Sequence, residues 1–407
     1  MRSLRAAVLV GGLQGCCIAL LLAARGIEVV LYERNDVLLG AAATANEGKI
    51  HLGYVYASDP TLATARTMIR GALAFAPFVR EHLDASPERL RLSSPNAYAV
   101  HRESQRSVDD IAAYLSRVHR LVVEANEASS GDYFGFDLDR AVERWSGSQI
   151  AATFAPAAIQ AVFQTPEIAI DPLALADIVR RRISDAAGRI EVRLRHVVTA
   201  VETNRLGLDV HASSPDGATR EKYDHVINAL WDGRIAIDKT LGLRPGRLTM
   251  NRFKYGLRIA ARDCDVPSTT IVLGPFGDVI TYGDRTIYMS WYPACMKARS
   301  AGDQPIPLPT IPSGPLRSDI AADTLAALSA IMPGLQTVRL EAVADYTVRG
   351  GVIVAWGQTD IDDPASELHR RFEIGVHSVG SYHSVDPGKL TMAPYFAGVC
   401  VARICAE

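Results

Sequence analysis

Three clusters of residues have the types and spacing to do chemistry. In the first, a turn Gly11-Gly12-Leu13-Gln14-Gly15 is followed by Glu33. Glycine at 12 lets backbone approach a pyrophosphate, and glycine at 15 lets a helix pack close on a sheet. An acid at the end of the next strand is placed to accept hydrogen bonds from ribose hydroxyls. The second cluster is the stretch 40–56, where small residues in a row admit a flat ligand and Asn46 and His51 supply polar groups. The third is the segment 380–391, with Gly380, Tyr382, His383, Gly388, Lys389, Leu390 and Thr391. It reads as a glycine-bearing turn from a strand into the last helix, which points N–H groups and the positive helix end at whatever lies above it.

The elements that must hold these clusters can be read around them. An apolar run at Ala6–Val10, a helical segment to about Ala24 and a β-rich run at Glu28–Tyr32 give the strand–turn–helix–strand order of a dinucleotide-binding unit. One residue departs from G-x-G-x-x-G: Val10 stands where the first glycine falls, so Gly11 and Gly12 must make the tight turn. Further on, Asp59-Pro60 is expected to start a helix towards Pro77, Ser107 another to about Glu124, and Asp171 caps a third to about Ala187. Runs at 190–194, 197–202, 206–212 and 223–230 read as strands added around the nucleotide sheet. From Gly256 to Tyr292, short strands broken by Gly-Pro and Gly-Asp turns read as aromatic-rich antiparallel sheet. A helix from Ser318 towards Met332, strands at Val338–Tyr346 and Phe372–Val379, and a closing helix Lys389–Cys405 complete the chain. The layout predicts an α/β protein in two discontinuous domains. A Rossmann-like cofactor domain spans 1–80, 156–240 and 346–407, and a mostly antiparallel substrate domain spans 81–155 and 241–345.

Composition narrows the function classes. The chain has 407 residues, 48% of them hydrophobic and 22% charged, with a formal net charge of −2 and no basic cluster, which argues against a nucleic-acid partner. The cysteines (Cys16, Cys17, Cys264, Cys295, Cys400, Cys405) form no C-x-x-C pair, so buried thiols are expected, with neither a disulfide framework nor a metal site. The apolar run from Cys16 to Ala24 is too short to span a bilayer, and a cytoplasmic protein, able to form homo-oligomers, is expected.

Taken together, several segments resemble the D-amino-acid oxidase superfamily, which includes glycine oxidase, sarcosine oxidase and the L-2-hydroxyglutarate and glycerol-3-phosphate dehydrogenases. They are the glycine turn with Glu33, the loop into Asn46-Glu-Gly-Lys-Ile-His51-Leu-Gly, Glu167-Ile-Ala-Ile-Asp171-Pro172, Val226-Ile-Asn-Ala-Leu-Trp231 and Pro387-Gly-Lys-Leu-Thr-Met-Ala-Pro394. The resemblance implies bound FAD of the glutathione-reductase-type fold. Gly11, Gly12, Leu13, Gln14, Gly15, Glu33 and Arg34 would hold the ADP half, and Val198 (or Val197) would meet the adenine. Thr44 and Asn46 would lie along the isoalloxazine, Ala229 and Trp231 would border the cofactor, and the segment 380–391 would meet the pyrimidine edge. Val10 departs from the pattern, and Tyr346-Thr-Val-Arg349-Gly-Gly has no cysteine, so non-covalent FAD is expected.

His51 is the candidate base, because oxidising an alcohol requires removal of the O–H proton as hydride leaves carbon; packing against the flavin is its alternative. Arg349 falls where the superfamily often places a substrate-carboxylate arginine, and Lys254 is a candidate to sit near the flavin and assist reaction with oxygen. Tyr54, Tyr282, Tyr288 and Trp291 could line the pocket or simply fill the sheet's core. The expected activity is FAD-dependent transfer of hydride from a C–H beside an amine or hydroxyl of a small, carboxylate-bearing substrate to flavin N5. O2 or another acceptor would take the electrons. A flavin monooxygenase, a redox-neutral flavoenzyme and a non-catalytic flavin-binding protein are the alternatives.

Overall fold

Strands β1 (Arg5–Val8) and β2 (Glu28–Tyr32) pair in parallel on either side of helix α1 (Leu13–Ala24), as the N-terminal pattern requires. In the computed structural model, which describes residues 4–406 other than 130–131, 206, 262, 303, 305, 341–345 and 362, this unit is the centre of a six-stranded sheet. Its order is Gly375–Val379, Tyr382–Asp386, His225–Asn228, β1, β2, Ile190–Arg193, parallel except for the first strand. The inner strands are buried apolar runs, as expected of a sheet covered on both faces. Helix α1 packs between this sheet and the closing helix Ala393–Ile404.

A nine-stranded, mostly antiparallel sheet forms the second layer around the long strand Thr249–Ala260, which pairs with Thr286–Trp291, Met296–Ala301 and Tyr346–Trp356. A separate core, filled by Phe253, Leu257 and Met289 against helix Gly314–Ile331, stabilises it. A two-stranded ribbon, Lys49–Ile50 with Ile168–Ala169, fixes the loop that leads to His51.

Several boundaries differ from the sequence reading, because pairing partners lie far away in the chain. Tyr346–Trp356 and Ile159–Gln164, grouped by sequence with the cofactor segments, are strands of the antiparallel sheet. Runs Val197–Asn204 and Gly207–Ser214 join Gly217–Tyr223 in a separate three-stranded sheet instead of extending the nucleotide sheet. The helix expected from Asp59 begins at Ala63, with Asp59 Oδ2 accepting the Thr64 N–H at 3.0 Å from outside the first turn. Segment 380–391 is not one turn: Gly380 (φ 52°) closes a hairpin, Tyr382–Asp386 is a strand, and only 387–389 lead into the final helical segment. The expected strand Phe372–Val379 begins at Gly375, and most of that expected at Val338–Tyr346 lies outside the described residues. Among the described residues no helix is long and apolar enough to cross a membrane, and no group of side chains could hold a metal ion. Five of the cysteines are buried, and Cys405 is exposed.

Candidate active site

A cavity of about 540 Å³ runs between the two sheets, from Glu33 and Arg34 at one end to Lys254 and Arg371 at the other. At the first end, the fit to a dinucleotide can be checked atom by atom. A Cβ on Gly15 would lie 1.9 Å from the Val10 carbonyl oxygen, so only glycine lets α1 start this close to β1. No side chain caps α1, which leaves the N–H groups of its first turn free for a phosphate. Glu33 is held in place by N–H groups of Gly11 (3.0 Å) and Asn35 (2.9 Å), at the end of β2. Gln14 donates to the Ala393 carbonyl at 3.0 Å, while its buried Oε1 has no partner and is available to accept from a ligand hydroxyl. Val10 lines the cavity and is not among the residues with positive φ, so a β-branched residue is accommodated where the pattern has glycine. These features fit FAD. Of the residues expected to border it, Gly12, Leu13, Gln14, Glu33, Arg34, Asn46, Val198, Ala229, Trp231, Gly388, Lys389 and Leu390 line the cavity. Gly11 and Gly15 support it from behind.

Others expected there face elsewhere. Thr44 is turned away, its hydroxyl meeting the Leu39 and Ala41 carbonyls and Arg349. Tyr382 donates to Asp238 at 2.7 Å, and His383 stacks on His225, both inside the nucleotide sheet because residues 382–386 form a strand. Thr391 acts at one remove: its hydroxyl accepts the His51 N–H and donates to the Lys49 carbonyl, each at 3.0 Å, stitching the closing segment to the His51 loop.

At the other end, Glu47, Lys49 and His51, two residues apart around Gly48 (φ 69°) and the strand Lys49–Ile50, all line the cavity. His51 is held between two carboxylates, with Nδ1 3.4 Å from Glu167 Oε1 and Nε2 3.9 Å from Glu47 Oε1. Glu167 is fixed by the Tyr98 hydroxyl and by the Leu52 N–H at 2.7 Å. Burial pushes the His51 pKa below its ordinary value, against the pull of Glu167, so the imidazole is neutral at pH 7. Glu47 stays ionised despite burial, because Lys254, Lys49 and Lys389 surround it. Lys49 is neutralised by Asp278 at 2.7 Å. Lys254 lies 3.2 Å from Ser290 Oγ and over the Tyr292 ring. Arg252, Arg371, Tyr56 and Tyr292 complete the walls.

The expected substrate residues divide. His51 and Lys254 line the cavity. Arg349 does not; it points into a small separate pocket with Thr44, Arg258 and Tyr288. Tyr54 is buried beside His119, Tyr282 donates to the Glu47 carbonyl at 2.9 Å, and Trp291 packs at a tilt against His101, none of them on the cavity. Glu47 and Lys49 were readable from the period-two alternation leading to His51, and Arg252 from its place two residues before Lys254 on one strand. Arg371, in an irregular segment, carried no such signal.

The fold is shared with proteins of known structure. Glycine oxidase from Geobacillus kaustophilus superposes with a TM-score of 0.69 at 13% identity, over 99% of this chain and 95% of that one. Iminodiacetate oxidase from Chelativorans sp. BNC1 gives 0.66 at 16%, over 99% and 96%. L-α-glycerophosphate oxidase from Mycoplasma pneumoniae, solved with FAD bound, gives 0.64 at 14%, over 100% and 96%. At these identities the likeness is one of fold. In sequence, 104 residues are 34% identical to the FAD-dependent monooxygenase FPY4 of Fusarium mangiferae, a match spanning 26% of this chain and a quarter (25%) of that protein's length. Residues 7–364 match the model of the DAO family, described as FAD dependent oxidoreductase, and the chain belongs to that family of FAD-dependent enzymes.

Proposed function

We propose that the protein removes hydride from a C–H bearing a hydroxyl or an amine on a small anionic substrate, with His51 as the base. FAD, when bound, supplies the hydride acceptor at flavin N5. The observation that carries this reading is a neutral, buried histidine on the cavity wall with a carboxylate on either side. The side of the ring facing Glu167 favours a proton on Nδ1, which leaves Nε2 as the acceptor for the substrate's hydroxyl proton. The imidazolium formed would lie between Glu167 and Glu47, so the charge appears where two opposite charges already wait. Lys254, Lys389, Arg252 and Arg371 on the same walls favour an anionic substrate.

His51→Ala should slow anaerobic flavin reduction by about 10²–10⁴-fold with FAD still bound. A loss of less than about one order of magnitude rules the base role out. The wild-type reduction rate should stay level as pH falls to the ordinary histidine range and drop only below it. The base must be unprotonated, and burial has moved its titration down.

A further inference from the structure

Lysine is scarce in this chain, and half of it lies in one place. Of 43 lysines and arginines, only six are lysine: Lys49, Lys222, Lys239, Lys254, Lys297 and Lys389. Lys222, Lys239 and Lys297 are exposed. Lys49, Lys254 and Lys389 line the cavity, which takes only Arg34, Arg252 and Arg371 from the far larger pool of arginines. Arginine supplies a positive charge as well as lysine does, but it does not give up its proton to become a nucleophile. A chain that uses arginine almost everywhere else keeps lysine where an amine, and not only a charge, has a use.

Two of the three are held as ammonium ions. Lys49 Nζ lies 2.7 Å from Asp278 Oδ1 and 2.8 Å from Thr270 Oγ1, and against burial Asp278 keeps its pKa raised. Lys254 donates to Ser290 Oγ at 3.2 Å, and against burial Tyr288, Tyr292 and Glu47 raise its pKa. Lys389 is different. Among the described residues its amine has neither a hydrogen bond nor an ion pair, although it faces Glu47, Lys49 and His51 of one loop, Lys254, and Arg371. Its backbone is fixed on both sides. Gly388 (φ 60°) gives its N–H to Asp386 Oδ1 at 3.1 Å, and Leu390–Met392 follow as a helical turn, so the stem enters the cavity from a set point. Burial, with Arg371, Lys49 and Lys254 against Glu47, brings its pKa down to about 8. At pH 7 about one such amine in ten is unprotonated, against fewer than about one in a thousand for an exposed lysine.

We infer that Lys389 is a nucleophile that captures the carbonyl product of the reaction as an imine. Removing hydride from an alcohol leaves a ketone or aldehyde in this cavity, and an amine substrate leaves an imine that water converts to the same carbonyl. The neutral amine of Lys389 adds to the carbonyl carbon, as lysines do in Schiff-base enzymes. A C=N bond replaces the C=O bond, and the two amine hydrogens leave with the oxygen as water. No electrons are transferred, and hydrolysis of the imine releases the product. The class captured is an anionic aldehyde or 2-oxo acid, since Arg252, Arg371 and Lys254 share this end of the cavity. The inference rests on the proposed function for the origin of the carbonyl; capture of an added carbonyl compound is measured without turnover.

FAD-loaded protein is incubated at pH 7 with glyoxylate and sodium cyanoborohydride, which reduces an imine irreversibly to carboxymethyl-lysine, and the six lysines are mapped by peptide mass spectrometry. Lys389 should be modified at least about tenfold faster than Lys222, Lys239 and Lys297, and Lys49 and Lys254 no faster than these three. Its rate should level off above about pH 8, while the exposed lysines continue to accelerate. Lys389→Arg should remove the fast adduct; should that variant fail to fold, the ratios in the wild type still decide. His51→Ala should slow flavin reduction by substrate and leave the adduct, so failure of the base and failure of the capture are read separately. Modification of Lys389 no faster than of the exposed lysines, a fast adduct on Lys49 or Lys254 in its place, or a fast adduct that survives in folded Lys389→Arg overturns the inference.

Discussion

At the nucleotide end, much of the cavity wall comes from one continuous stretch, residues 9–35, which acts mainly through backbone N–H groups and the absence of side chains, with Glu33 and Gln14 adding polar atoms. At the other end the wall is assembled from pieces far apart in sequence: Glu47 to His51, Arg252 with Lys254, Arg371 and Lys389. There the action lies in charged side chains whose ionisation is set by burial, which lowers the pKa values of His51 and Lys389, and by neighbouring charges, which keep Glu47 ionised. The first end depends on shape and tolerates little steric change. The second depends on charge balance and should respond to pH and to the removal of single groups.

The largest effect belongs to the first end. Gly15→Val places a side chain where even a Cβ would meet the Val10 carbonyl at 1.9 Å, so the helix must shift. A loss of about 3 kcal/mol or more and of FAD binding is expected, read from thermal unfolding and from flavin absorbance in the purified protein. Retention of both would mean that the close approach of α1 to β1 is not required.

An intermediate effect distinguishes the second end. Burial, reinforced by Arg371, Lys49 and Lys254 against the pull of Glu47, pushes the Lys389 pKa down to about 8. Its charge is therefore present below that value and lost as pH rises through it. Anion affinity should fall above about pH 8, by at most about tenfold per pH unit for one proton, and Lys389→Arg should remove that limb. A limb that survives the substitution assigns the titration to another group.

The smallest effect is at Val10. With φ outside the left-handed region, Val10→Gly should change FAD affinity by less than about twofold, measured by fluorescence titration of the apoprotein. A tenfold tightening would show that the valine strains the turn.

The same contrast explains what the sequence disclosed. The N-terminal unit was legible because a βαβ turn is a local structure whose glycine and acid requirements sit within one stretch. His51 was legible as a polar group among small residues, but its two carboxylates were only half so. Glu47 alternates with it, whereas Glu167 reaches it through the pairing of Lys49–Ile50 with Ile168–Ala169. The substrate end misled more. Arg349 is in register with Gly256 on the long strand and turns to Thr44, and the aromatics Tyr54, Tyr282 and Trp291 belong to packing. Which face a sheet residue presents depends on the partner strand and its register, which no local pattern specifies. Tyr382 and His383 were misplaced for a related reason, because a hairpin and a strand occupy what reads locally as a loop.

The central claim, that this cavity oxidises a small anionic hydroxy or amino compound, is tested most directly by anaerobic bleaching of the bound flavin. The panel comprises hydroxy acids, amino acids, phosphoesters and amino sugars, each acid paired with its neutral amide. The prediction is bleaching by at least one anionic compound and none by its amide. Bleaching by NADPH in the absence of any of these compounds, or equal bleaching by an acid and its amide, would contradict it.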